Sequence, residues 1–207
     1  MTAAAVWTAS IAGAWLVGSV PFGYLVPRLL RGIDIREHGS RNPGATNVFR
    51  TLGPGPGIAA GLLDGFKGWL AVDIAARADA DPLLRVAAAL AAVAGHNWTP
   101  WLGFRGGKGV ITSAGAFLHL AALPLAGAVA AFGLVFALTR MVSAASITAA
   151  LVLPVLTFAL SGSWRDPVIE AAAVLAAVSI VVRHRANIGR IINGTEHRFG
   201  RPRQGPR

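Results

Sequence analysis

Three polar segments hold the residues that could do chemistry in this chain. The first runs from Gly39 to Arg50 and reads Gly-Ser-Arg-Asn-Pro-Gly-Ala-Thr-Asn-Val-Phe-Arg. Its glycine, proline, serine and asparagine residues break helices and free backbone N–H groups, and they place a hydroxyl, two amides and a guanidinium within a short length of chain. Such a set could bind a polar or anionic ligand. The alternative is a solvated turn that merely separates two helices.

The second segment carries a lysine among glycines, Gly106-Gly107-Lys108-Gly109, directly before an apolar run. Glycines around a lysine at the start of a helix can hold a phosphate through backbone donors, the helix dipole and the ammonium. The segment is not a Walker A loop, because the required first glycine is Leu102 and the residue after the lysine is glycine. The alternative is an ordinary glycine-rich turn with one interfacial lysine.

The third segment, residues 183–196, follows the last apolar run. Arg183, Asn187 and Arg190 fall on one helical face, and His184 lies beside Asn187 at a spacing of three residues. The histidine and the amide can therefore contact the same ligand. Basic residues that flank a membrane span explain the arginines alone, but they do not explain His184 with Asn187.

Other polar residues stand inside or at the ends of apolar runs. Asp64 and Lys67, three residues apart, are either a structural ion pair or the wall of a polar cavity, because ionisable groups in lipid must be paired or wetted. Ser143 and Ser146 share one helical face at a boundary. His119 is interpreted as a structural histidine.

Several catalytic patterns are absent from the sequence. It has no G-x-S-x-G elbow, no H-x4-D pair and no H-E-x-x-H spacing. It also has no cysteine, which excludes a disulfide framework, a thiolate nucleophile and a zinc ribbon. We expect neither a metal ion nor another cofactor, and acyl transfer through an ordinary triad loses support.

The elements that position these segments are membrane helices. The chain has 207 residues, 54% hydrophobic and 14% charged, with a mean hydropathy of +0.58, which excludes a soluble domain or a disordered chain. Its formal net charge is +10. A bilayer core of about 30 Å needs roughly 20 apolar residues per helix. The candidate spans are 5–27, 55–76, 83–103, 110–123, 125–139, 142–160 and 167–182.

The distribution of lysine and arginine predicts the direction of these spans. Most of these cations lie in 28–50, in 105–108, at Arg140 and in the chain after residue 182, and the intervening loops have few. The positive-inside rule places the cation-rich segments in the cytoplasm. The alternation requires two helices that meet at Pro124, since a single helix would put the arginine-rich tail outside.

We therefore predict an all-α integral membrane protein with seven transmembrane helices, its N-terminus outside and its C-terminus in the cytoplasm. Residues 1–200 form one domain, and the basic tail 201–207 is predicted to be disordered. The many glycine and alanine residues favour close helix packing in lipid.

Three motifs in order carry a resemblance to a known family. They are Gly39-Ser40-x-Asn42-x-Gly44-Ala45-Thr46-Asn47, then Gly95-His96 with Gly106-Gly107-Lys108-Gly109, then Arg183-His184-Arg185-x-Asn187-Ile188 with Gly194-x-Glu196. The chain resembles the bacterial acyl-phosphate:glycerol-3-phosphate acyltransferase (PlsY) family over nearly its whole length. It departs from the family pattern at Arg41, where a second glycine is usual.

The resemblance implies that an acyl phosphate donates its acyl group to the sn-1 hydroxyl of glycerol 3-phosphate. It implies that Arg50, Lys108 and Ser146 hold phosphate, that Ser40, His184 and Asn187 surround the reacting groups, and that Glu196 is structural. The same family likeness places the following in substrate or phosphate binding: Thr46, Asn47, Gly106, Gly107, Gly109 and Ser143. It implies the cytoplasmic membrane of a bacterium and a soluble partner enzyme that makes the acyl phosphate.

Two other functions compete with this interpretation. Basic cavities also serve transporters of phosphorylated solutes, but the sequence shows neither the inverted repeats nor the broken helices expected of them. Nucleic-acid binding has only the arginines of the tail in its favour, without interleaved aromatic residues, so no nucleic-acid partner is expected. Because no acidic residue in the three segments is placed to orient the histidine, we expect direct acyl transfer rather than an acyl-serine intermediate.

Overall fold

Helices account for most of the described chain. The computed structural model describes residues 2–160, 162 and 165–200, so the predicted disordered tail 201–207 lies outside the described residues. The described helices are α1 (Ala3–Ser19), α2 (Phe22–Arg31), α3 (Ala45–Leu52), α4 (Pro54–Ala78), α5 (Pro82–Asn97), α6 (Val110–Leu120), α7 (Ala122–Thr139), α8 (Val142–Ala159), α9 (Pro167–Arg183) and α10 (Arg185–Ile192). Short 3-10 turns occupy Ile35–Glu37 and Pro100–Leu102.

The lengths of the helices agree only partly with the predicted spans. By length and composition, α7 and α8 can each cross a membrane, and the number reaches four if α1 with α2 and α9 with α10 each form one bent span. Helix α5 ends at Asn97, before Pro100, rather than continuing to residue 103. Helix α6, with 11 residues, is about 16 Å long, which is shorter than the hydrocarbon core.

The candidate span 5–27 is not one straight helix, because the chain bends by 40° between α1 and α2. Pro21 cannot donate a backbone hydrogen bond, so the last carbonyls of α1 need other donors. The Thr99 hydroxyl donates to the Ser19 carbonyl over 2.6 Å, and the Lys67 ammonium donates to the Val20 carbonyl over 2.7 Å. A broken helix, which the sequence analysis did not detect, is thus present, with its free carbonyls satisfied by protein donors.

The break between α6 and α7 lies earlier than predicted. The chain leaves helical geometry at Ala121, with φ −154°, and not at Pro124. Pro124 falls in the first turn of α7, where a backbone N–H has no helical partner and its loss costs little. The expectation of two helices in this stretch is met, with the break three residues upstream.

Small residues allow the helices to approach closely, as the composition predicted. A Cβ added at Gly18 would lie 2.2 Å from the Ala92 carbonyl oxygen, so α1 and α5 are in backbone contact. A Cβ added at Gly115 would lie 1.9 Å from the Gly65 carbonyl oxygen, which places α6 equally close to α4. Such contacts suit membrane helices, which have no hydrophobic force between them in lipid.

The cation-rich segments meet at one end of the bundle. The Phe199 amide donates to the Arg140 carbonyl over 2.9 Å, which brings the C-terminal segment to the α7–α8 junction. The same segment contacts Ser143 and Asn187 through Glu196. Residues far apart in the chain are therefore gathered at one face, here called the site face.

Candidate active site

The first polar segment is shaped by Asn47, whose side chain is 2% exposed. Its Oδ1 accepts from the Ser40 backbone N–H over 2.9 Å, and its Nδ2 donates to the carbonyls of Ile35 at 3.2 Å and His38 at 3.0 Å. Asn47, which the family likeness places in substrate binding, thus uses its amide inside the loop. A Cβ added at Gly39 would lie 2.2 Å from this Oδ1, so the position requires glycine.

Ser40 itself lies at the surface of this loop, and its backbone N–H rather than its hydroxyl contacts Asn47. Thr46 lies partly exposed in the first turn of α3. The departure from the family pattern has a structural consequence, because Arg41 adopts φ +59°. A non-glycine residue in the left-handed region costs roughly 1 kcal/mol, which explains why glycine suits this position.

The glycine loop around Lys108 is held against the end of α5. The N–H of Gly106 donates to the Asn97 carbonyl over 3.1 Å, and that of Gly107 donates to the His96 carbonyl over 3.2 Å. A Cβ at Gly107 would lie 2.1 Å from His96 Nε2. The glycines therefore permit close packing, and their N–H groups, predicted to hold phosphate, already bind backbone carbonyls.

Gly109 ends this loop in the left-handed region, with φ +78°, and begins α6. The first turn of α6 therefore directs its backbone N–H groups toward the Lys108 side of the loop, where the helix dipole favours an anion.

Lys108 reaches across to the third segment. Its ammonium donates to Asn187 Oδ1. Burial lowers the pKa of Lys108 to about 8; the charge of Glu196 opposes this shift, and those of Arg190 and Arg50 add to it. Asn187 links the lysine to the carboxylate, because its Oδ1 accepts from Lys108 and its Nδ2 donates to Glu196.

Glu196 accepts hydrogen bonds from three side chains, which belong to two helices. Asn187 Nδ2 donates to Oε1 over 2.7 Å, the Ser143 hydroxyl donates to Oε1 over 2.8 Å, and Arg190 Nε donates to Oε2 over 2.7 Å. Burial disfavours the charged carboxylate, but these hydrogen bonds outweigh it and hold the pKa of Glu196 below its usual value. The carboxylate joins α8, α10 and the C-terminal segment, in agreement with the structural role that the resemblance implied.

His184 occupies the break between α9 and α10 and is 3% exposed. Its Nδ1 lies 2.8 Å from the Ile180 carbonyl oxygen, which can only accept, so Nδ1 carries the proton and Nε2 is an acceptor. Burial and the nearby charge of Lys108 lower the pKa of His184 to about 4. The imidazole is therefore neutral at neutral pH.

Two arginines complete the charge of the site. Arg50 lies over the Phe199 ring at 5.0 Å, and Arg183 lies over Trp98 at 5.5 Å while donating to the Gly106 carbonyl over 3.2 Å. The helical face shared with Asn187 could have indicated Arg183 as a functional residue. The role of Phe199 left no sequence signal, because aromatic stacking on a distant arginine has no fixed spacing.

Within the described part of the chain, the charged groups that act on the Lys108 ammonium are three arginines and one carboxylate, so cations are in excess there. The arginines are Arg50, Arg183 and Arg190, and the carboxylate is Glu196. Ser146 is buried on α8 one turn after Ser143. Among the residues that the structure describes, no group of three or more histidine, aspartate or glutamate side chains is arranged to hold a metal ion. The arrangement suits a phosphorylated substrate next to a neutral histidine.

A bundle of apolar helices with such a site defines an integral membrane enzyme that handles phosphate. The family model described as glycerol-3-phosphate acyltransferase matches residues 8–194. The chain belongs to the glycerol-3-phosphate acyltransferase family, and the resemblance drawn from the three motifs is confirmed.

Named relatives and solved structures agree with this assignment. The chain is 48% identical over 203 residues to a glycerol-3-phosphate acyltransferase of Gloeobacter violaceus, covering 95% of each chain. It is 49% identical over 187 residues to that of Desulforudis audaxviator, covering 90% of this chain and 92% of the relative.

The fold is similar to crystal structures of PlsY (YgiH), an integral membrane glycerol 3-phosphate acyltransferase. The glycerol 3-phosphate form has a TM-score of 0.88 at 34% identity, covering 94% of this chain and 96% of that one. The lysophosphatidic acid form has a TM-score of 0.86 at 34% identity, covering 94% and 95%. The prediction of an all-helical integral membrane fold is confirmed.

Proposed function

We propose that this acyltransferase moves the acyl group of an acyl phosphate to the sn-1 hydroxyl of glycerol 3-phosphate. The products are lysophosphatidic acid and inorganic phosphate. The excess of cations around Lys108, beside the neutral His184, carries the proposal, because both substrates bear phosphate and one must present a hydroxyl to an acceptor. The names of the relatives and solved neighbours support glycerol 3-phosphate as the acceptor and lysophosphatidic acid as the product.

The test is turnover by the purified protein. Wild-type enzyme in detergent, given palmitoyl phosphate and glycerol 3-phosphate, is expected to release lysophosphatidic acid and phosphate in equal amounts. Palmitoyl coenzyme A in place of the acyl phosphate is the control donor, and we expect no product from it. Transport of glycerol 3-phosphate into vesicles without acyl transfer would instead favour a carrier.

In the proposed reaction Lys108, Arg50 and Ser146 hold phosphate, with Thr46 and Gly109 lining the same site. Asn187 and the Ser40 hydroxyl orient the reacting groups. The hydroxyl oxygen of glycerol 3-phosphate bonds to the carbonyl carbon, and the bond from that carbon to the phosphate oxygen breaks. His184 Nε2 accepts the hydrogen bond of the attacking hydroxyl, whose proton ends on the released phosphate.

We expect this transfer to be direct. His184 Nδ1 donates to the Ile180 carbonyl rather than to a carboxylate, so a serine-histidine-acid triad lacks support. Enzyme incubated with palmitoyl phosphate alone is expected to show no acyl adduct on Ser40 by mass spectrometry. An acyl-Ser40 formed in stoichiometric amount, which then transfers its chain to added acceptor with ping-pong kinetics, would make Ser40 the nucleophile.

We also propose that the chain crosses the cytoplasmic membrane of a bacterium seven times, with its N-terminus outside and its C-terminus inside. Contacts at the site face between the C-terminal segment and the α7–α8 junction support it. Because the chain has no cysteine, single cysteines can report sidedness. Leu123→Cys, 55% exposed in the native residue, should react from outside, and Ile192→Cys, 78% exposed, from the cytoplasm. Labelling of Leu123→Cys from the cytoplasm would contradict seven spans.

This orientation puts the site at the cytoplasmic surface, where a soluble enzyme that makes acyl phosphate could deliver its product. The donor's chain also needs an apolar site open to the bilayer. A cavity of about 250 Å³ lies between α5, α6 and α9, and we assign the acyl chain to it. One end of this cavity is formed by Asn97 and Trp98, which also contact the glycine loop and Arg183. The phosphate and the chain would thus lie in adjoining sites.

Filling this cavity should change the preference for chain length. Ala176 lines it, whereas Val178 on the same helix is 55% exposed away from the core. Ala176→Phe is expected to lower kcat/KM for palmitoyl phosphate at least about tenfold more than for octanoyl phosphate, because the ring occupies the space of the longer chain. The matched control Val178→Phe should not discriminate. Equal losses for both donors would place the chain elsewhere.

A further inference from the structure

A buried polar group of three side chains, Asp64, Lys67 and His96, takes no part in the steps above. All three are between 2% and 8% exposed. Lys67 Nζ lies 2.8 Å from Asp64 Oδ1 and 2.9 Å from His96 Nδ1. Of the two alternatives left by the sequence, the ion pair is therefore correct, and it is extended by a histidine from another helix.

Lys67 holds the orientation of the His96 ring. An ammonium has donors only, so Nδ1 of His96 must accept and Nε2 must carry the proton. The third contact of Lys67 is the Val20 carbonyl at the α1–α2 break, 2.7 Å away. With Asp64 in α4 as counter-ion, the ammonium thus fixes His96 relative to two other helices.

His96 in turn holds the glycine loop. Its carbonyl accepts from the Gly107 N–H over 3.2 Å, and its ring lies against the Cα of Gly107, where an added Cβ would be 2.1 Å from Nε2. A Cβ at Gly106 would lie 1.9 Å from the His96 carbonyl oxygen. The residue after this pair is Lys108, whose ammonium reaches Asn187.

We infer that Asp64, Lys67 and His96 are positioning residues that place the glycine loop, and with it the Lys108 ammonium, for the phosphate of glycerol 3-phosphate. This inference rests on the proposed function for its substrate. Lys67 fixes the orientation of the His96 ring. The ring and the backbone carbonyl of His96 fix the positions of Gly106 and Gly107, and these glycines fix the position of Lys108.

Two variants separately test the contact of Lys67 with His96 and the contact of His96 with the glycine loop. Lys67→Met combined with Asp64→Asn removes both charges at similar volume and frees the His96 ring. His96→Asn keeps an acceptor for Lys67 and leaves the ion pair intact, so we expect the fold to be preserved. The asparagine lacks the ring atoms that contact Gly107. Asp73→Asn is the matched control, because Asp73 forms an ion pair with Arg77 on the same helix, away from the loop.

Each test variant is expected to raise the KM and the Kd for glycerol 3-phosphate about tenfold, with kcat within about threefold of the wild type. Asp73→Asn should change neither constant. Folded test variants with a wild-type KM and Kd would overturn the inference. The Kd for glycerol 3-phosphate, measured by calorimetry without acyl donor, separates this test from that of the proposed function. A wild-type enzyme that binds glycerol 3-phosphate without turnover contradicts the proposed function. The Kd values of the wild type and the variants then still decide the positioning role.

Discussion

Replacing His184 by alanine is expected to lower kcat about one hundredfold or more, with a small change in the KM for glycerol 3-phosphate. The reason is the state of the imidazole: Nδ1 donates to the Ile180 carbonyl and the ring is neutral, so Nε2 is an acceptor ready for the substrate hydroxyl. A side chain that takes the proton of the attacking hydroxyl in the transition state contributes about 100- to 10,000-fold in rate, and this holds when the proton then passes to the released phosphate. Steady-state kinetics with palmitoyl phosphate measure the effect.

His119→Ala is the control for this experiment. His119 lies at the far end of α6, 3.7 Å from Asp73 and beside Trp69, in the structural setting that the sequence predicted. Its loss should leave kcat within about twofold, as is usual for substitutions away from a site. A His184→Ala enzyme with the kcat of the wild type would remove the imidazole from the reaction.

Replacing Lys108 by alanine is expected to raise the KM for glycerol 3-phosphate about 10- to 100-fold and to lower kcat less. A charge-assisted hydrogen bond to phosphate contributes about 1.5–3 kcal/mol, and an anchor that grips substrate and transition state alike acts mainly on KM. Lys108→Arg keeps the charge and should recover most of the affinity. A loss confined to kcat would show that the ammonium acts on the reacting carbonyl instead.

The pH dependence of the same constant gives a second check on Lys108. Its pKa is lowered to about 8, so the lysine is charged below this pH and loses its proton above it. The KM of the wild type for glycerol 3-phosphate should therefore rise as the pH passes about 8, while the substrate phosphate stays dianionic. Lys108→Arg should show no rise, because a guanidinium stays protonated. The same rise in both enzymes would assign it to another group.

Much about this protein follows from its sequence. Hydropathy is a sum over consecutive residues, so the apolar runs could be identified without knowledge of the fold. The distribution of lysine and arginine among the loops can also be seen in the sequence. It predicted that Lys108, Arg140 and the segment after Arg183 lie at the same end of the bundle, as they do. The glycine-rich turn before α6 was also predicted, because a turn followed by a helix is determined by neighbouring residues.

The tertiary structure decided which polar groups are available. Asn47 and the N–H groups of Gly106 and Gly107 are hydrogen-bonded to backbone groups of the protein, although their residue types suit substrate binding. Whether a donor is free depends on its neighbours in space, which no spacing rule contains.

The tertiary structure also decided what the buried charges do. Asp64 and Lys67 are three residues apart in the sequence, but their partners, His96 and the Val20 carbonyl, come from other parts of the chain. Likewise Glu196 owes its role to Ser143, Asn187 and Arg190, which meet only at the site face. Local composition thus determined the membrane helices and the motifs, and long-range packing determined the charge, burial and hydrogen bonds that make them a site, because these properties depend on residues distant in sequence.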